Sequence, residues 1–128
     1  MMTRLFVKSA LVIAAIGSLA SCGPRISPLT SAPPAKGLRV NEFSWGDGIF
    51  LKKFTFPGGV YQPQGQDRNG FYYFPQNNQV TVRDTGMRYG AKGGIYWKKD
   101  LPHPDQAFVD SWAGAALMKT TFSATPIR

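Results

Sequence analysis

Cysteine and histidine are nearly missing, with one of each in 128 residues. A lone cysteine forms no disulfide within its own chain. The lone histidine, His103, leaves few candidates for a general base, a nucleophile or a metal set. Acidic side chains are also scarce, 7 against 15 Lys and Arg, for a formal net charge of +8. Neither GxxxxGK[ST] nor GxGxxG occurs, so the glycine-rich stretch 90–94, which leads into an expected strand, is weak evidence for phosphate binding. Long apolar runs are missing too. The best, residues 9–19 (SALVIAAIGSL), falls well short of the roughly 20 residues that cross a bilayer.

That short run has an informative setting. Arg4 and Lys8 lie on its amino-terminal side with no acidic residue, small residues close it, and Leu19-Ala20-Ser21-Cys22 follows. Basic start, apolar stretch and small-residue end are the three parts of an export signal. The Leu-Ala-Ser-Cys run resembles the lipobox of bacterial lipoproteins. The resemblance covers residues 1–23 only. It implies that the Cys22 sulfur carries a diacylglycerol, that residues 1–21 are removed, and that the new amino terminus is acylated as well, with palmitate a typical chain. Gly23 stands where enteric lipoproteins retained at the inner membrane carry aspartate, which implies an outer-membrane address facing the periplasm.

Removal of residues 1–21 leaves 107, enough for one small domain and a tether. Those residues carry 13 basic and 7 acidic side chains, a net charge of about +6. A basic excess raises the question of nucleic acid, but an exported chain has no such partner to meet. The cations are also scattered through separate segments, as on an ordinary solvated surface. Anionic envelope material is the alternative attractor, and Lys36 and Arg39 are the expected juxtamembrane cations.

Residues 22–37 read as a lipidated cysteine followed by a spacer, because Pro24, Pro28, Pro33 and Pro34 fall among Ser, Thr and Ala. In polyproline II at about 3.1 Å per residue, such a stretch reaches roughly 45 Å. Residues 38–128 then form the domain. Turn signals every eight to twelve residues predict strands over 38–45, 49–56, 60–62, 71–74, 79–83 and 95–98. Pro63 points to an edge, Asn69-Gly70 to a tight turn, and 71–74 with 79–83 to a hairpin. Phe108, Trp112, Ala115, Ala116 and Leu117 recur at helical spacing, which predicts a helix over 105–118. The expected fold is mainly β, a small antiparallel sheet or partly open barrel with one C-terminal helix.

Chemistry is harder to find. Asp100, His103 and Asp105 lie close in sequence, but Pro102 and Pro104 hold that run extended and turn the side chains apart. We therefore expect no catalytic, cofactor-binding or metal residues. Aromatics are abundant, and alternate strand residues face opposite ways, so one set fills a core while the other can meet a partner. The candidate interaction surface is Tyr72 and Trp97 with Arg83, Arg88 and Lys98 at its rim. An envelope protein fits this surface because Tyr, Trp and Arg are enriched at interfaces; a cell-wall glycan stacked on the aromatics is the alternative. The resulting expectation is a non-enzymatic interaction or structural module, with a peptidoglycan- or carbohydrate-binding module second. A lysozyme inhibitor fits poorly, since that target is itself basic and like charges slow encounter.

Overall fold

The computed structural model describes residues 25–46, 54–76, 81–82, 88–89, 93–111 and 114–128. Eleven strands occur among them: β1 (Gly37–Val40), β2 (Phe43–Trp45), β3 (Phe54–Phe56), β4 (Gly59–Asp67), β5 (Gly70–Pro75), β6 (Thr81–Val82), β7 (Arg88–Tyr89), β8 (Gly93–Lys98), β9 (Gln106–Ser111), β10 (Gly114–Lys119) and β11 (Ala124–Ile127). Seven form one antiparallel sheet in the order β10-β9-β8-β5-β4-β1-β11; β2 pairs with β3, and β6 with β7. The fold is mainly β, and the large sheet is open rather than closed into a barrel.

No helix occurs among the described residues. The helix expected over 105–118 is instead the hairpin β9-β10, paired from Gln106↔Lys119 to Ser111↔Gly114. Two features misled the periodicity. Ala107, Phe108 and Val109 are all buried, because β9 is covered on both faces and so lacks a period-two signature. Gly114 then adopts φ +116, a left-handed value that glycine tolerates, and the chain reverses.

The expected hairpin of 71–74 with 79–83 is also replaced. β5 pairs with β4 on one side and β8 on the other, while β6 pairs with β7 as Thr81↔Tyr89 and Val82↔Arg88. The strand expected over 60–62 extends through Pro63 to Asp67. Proline is tolerated there because β1 pairs only with residues 59–61 of β4, so the flank at Pro63 needs no amide for β1, and the register shifts between Pro63 and Gly65.

Register divides the core. On one face Tyr73 lies opposite Ile95, Phe71 opposite Trp97, and Ile95 opposite Ala107; the small β2-β3 sheet covers this side, with Phe43 stacked on Phe56 at 4.4 Å. On the other face Tyr72, Phe74, Tyr96 and Phe108 cluster with Ile26. Ile26 comes from the segment expected to be a free spacer. It is fully buried, Ala35 is 3% exposed, and Ser27 exchanges both backbone hydrogen bonds with Gln66, at 2.7 and 2.9 Å. Residues 26–36 thus dock onto the sheet. Ile26→Ala should remove about 3 kcal/mol of stability, the usual order for a buried isoleucine; a urea midpoint unchanged from the parent would show that the docking contributes nothing.

Candidate functional site

The docked segment meets the sheet at the end where β4 turns into β5. Asn69-Gly70 suggests a turn with both residues at its centre. The centre is in fact Arg68-Asn69, with Asp67 paired to Gly70 and no positive φ at either central residue. Aspartate in first place and glycine in fourth suit this shape, since the carboxylate can accept the amides that follow. Asp67 Oδ1 accepts from the Asn69 and Gly70 amides, both at 2.8 Å.

Two buried phenols complete the anchor. Tyr72 and Tyr96 lie opposite one another on β5 and β8, their rings 4.7 Å apart. Tyr96 donates to Asp67 Oδ1 at 2.8 Å and Tyr72 to Oδ2 at 3.1 Å. Burial, then the Asp67 carboxylate, pushes the Tyr96 phenol well above its ordinary range. The phenols therefore stay protonated and donate. With its oxygens shared among four donors, Asp67 organises the turn rather than moving protons.

Around this anchor four exposed side chains are basic, with exposed Asp100 among them. Arg68 leads the turn; Lys98 sits opposite Gly70; the Lys99 amide donates to the Asn69 carbonyl at 2.8 Å, and its ammonium lies 5.8 Å from the centre of the Phe71 ring. Exposed Arg25 precedes Ile26 at the same end. Beside them an open pocket of about 420 Å³ is lined by Ser27, Pro28, Thr30, Gln66, Asp67 and Arg68. Gln66 Oε1 accepts from the amides of Thr30 at 2.8 Å and Ser31 at 3.2 Å, which wraps the docked segment around the pocket.

The two aromatics of the expected interaction surface are not exposed. Tyr72 is fully buried and Trp97 is 2% exposed, a correction that follows from β5 and β8 being covered on both faces. Tyr72 is under Ile26 and Phe108, and the Trp97 indole donates to the Leu101 carbonyl at 3.0 Å. Lys98 is exposed as expected. Arg88 lies on β7, with its side chain outside the described residues, as are Arg83 and Cys22. Arg25, Arg68 and Lys99 were missed: two turn signals mark their loops, but only the register shows that those loops meet.

Elsewhere, His103 is exposed and Asp105 Oδ2 lies 3.6 Å from the Lys119 ammonium. Among the described residues no group of three or more His, Cys, Asp or Glu side chains gathers at one place. The described residues hold no helix long and apolar enough to cross a membrane. A second pocket, about 440 Å³, lies at the opposite end beside Pro57, Tyr61, Pro75 and Gln76. Its Tyr61 hydroxyl donates to the Pro57 carbonyl at 2.7 Å.

Three buried phenols give a pH prediction. Burial raises Tyr61 and Tyr96 strongly and Tyr73 to about 12, above the ordinary 10 they regain on unfolding. Their contribution is complete below pH 10. Between pH 10 and 12 the unfolded chain has released protons that the folded chain still holds, and stability should fall with pH by at most about 4 kcal/mol per unit. Thermal melts should be flat to pH 9.5 and collapse above pH 10; a melting temperature unchanged at pH 11 would contradict this.

Comparison with protein-family models, curated proteins and solved structures gives no match for this chain.

Proposed function

We propose that this chain is a lipid-anchored lipoprotein of the bacterial envelope, held by acyl groups on Cys22. Its β domain then serves as a non-enzymatic interaction or structural module, at the outer membrane facing the periplasm. The observation that carries this reading is the run Leu19-Ala20-Ser21-Cys22 behind a basic start and a short apolar stretch. The domain's chemistry is in keeping with it. Asp67 is committed to its turn and two tyrosines, and Asp105 Oδ2 faces Lys119.

The glycan-binding alternative loses its main support, since a stacking platform needs exposed aromatic faces and both Tyr72 and Trp97 lie in the interior. The test is crosslinking of the membrane-anchored protein in intact cells, followed by mass spectrometry of what is captured. A dominant protein partner supports the interaction module. Capture of glycan fragments alone would overturn it in favour of a wall-binding role.

A further inference from the structure

We infer that the β4-β5 end of the domain lies against the anionic headgroups of the bilayer, so that the domain is docked on the membrane rather than held away from it. The inference rests on the reading of Cys22 as the lipid site and adds an orientation to it. Between Cys22 and buried Ile26 there are only four peptide steps, at most roughly 14 Å of chain. Ile26 is pinned by its neighbour Ser27, which pairs with Gln66 beside the β4-β5 turn. The anchor therefore leaves the domain at one defined end.

That end is basic. Exposed Arg25, Arg68, Lys98 and Lys99 gather there. Of the two carboxylates nearby, Asp67 is drawn into its turn and exposed Asp100 offsets one cation. At the far end, beyond the Val40↔Gly59 and Gly93↔Val109 pairs, lie Glu42 and Asp110. Among the described residues, four exposed cations thus sit at the end from which the anchor leaves, an orientation an anionic leaflet favours. Leu29, on the docked segment, is 37% exposed, an apolar side chain suited to the headgroup boundary.

The test uses full-length protein purified from bacterial membranes and reconstituted into phosphatidylglycerol vesicles containing a spin-labelled lipid. A fluorophore is placed on a cysteine introduced by Asn69→Cys in the turn, or by Gln76→Cys beyond the other end of β5, roughly 20 Å away. The intact mass and the failure of Cys22 to take the label first establish lipidation; an unmodified, label-reactive Cys22 would sink the anchoring proposal itself. Given lipidation, strong quenching at position 69 and weak quenching at 76 are expected. Neutral phosphatidylcholine vesicles, or combined Arg68→Glu and Lys99→Glu, should loosen the docked state roughly fivefold per cation lost. Equal quenching at the two positions, or quenching indifferent to charge, overturns the orientation.

Discussion

Replacing Cys22 by serine is expected to move the protein from the membrane fraction to the soluble periplasmic fraction and to abolish incorporation of a palmitate analogue. The size of the effect follows from the anchor. Each buried methylene contributes about 0.8 kcal/mol, so one acyl chain holds reversibly whereas two or three hold for practical purposes permanently. The basic end alone does not replace them. Four exposed cations at about 1 kcal/mol each near an anionic leaflet supply weak, salt-sensitive binding. Soluble Cys22→Ser protein should melt like the parent, because Cys22 precedes the docked segment that begins at Ile26. Variant protein that still carries the label and still sediments with membranes would refute the lipid site.

Short docking and strong anchoring have a joint consequence. A 45 Å spacer would let the domain sample a large volume and any orientation. Roughly 14 Å of chain leaves it in contact with the surface, with the β4-β5 end facing inward. Partners would then meet the far end and the flanks of the sheet. The outer edge of β10, the last strand of the sheet among the described residues, with Ala116 exposed and Leu117 half-buried, is one such flank.

Much of the β character was legible because turn residues are local. Pro57-Gly58-Gly59 and Asp67-Arg68-Asn69-Gly70 mark chain reversals whatever surrounds them, and the strands between them follow. What was lost depended on burial from both sides. The buried run Ala107-Phe108-Val109 shows no alternation, so spacing with Trp112 and Ala115 imitated a helix. Equally, alternation along β5 promised an outward aromatic face at Tyr72. That face is covered by Ile26, a single apolar residue in a proline-rich stretch whose partner lies 46 positions on in sequence. The basic end was illegible for a related reason. Arg25, Arg68 and Lys98 are far apart in sequence and are joined only by the Ser27↔Gln66 and Gly70↔Lys98 pairings.

The same two-sided covering makes Gly94→Ala one of the most damaging single methyls we expect. Gly94 lies in β8 opposite Phe108, and the Phe74 ring folds over it from the neighbouring strand. A Cβ at position 94 would lie 2.5 Å from the Tyr73 carbonyl oxygen and 2.6 Å from Phe74 Cδ1. The ring could swing aside only by disturbing its edge-on contact with Phe108, centred 5.7 Å away. The carbonyl cannot yield without displacing β5, which carries both core faces. Overpacking of this kind costs about 3 kcal/mol, and for a domain of this size the melting temperature should fall by roughly 10–20 °C. Gly59→Ala separates the two reasons for a glycine. Its φ of +138 is the only obstacle there, since nothing lies within 4 Å of the added carbon, so its loss should be the smaller. If Gly94→Ala melts with the parent, the packing of Phe74 on β8 is wrong, and with it the covered face that removes Tyr72 from the surface.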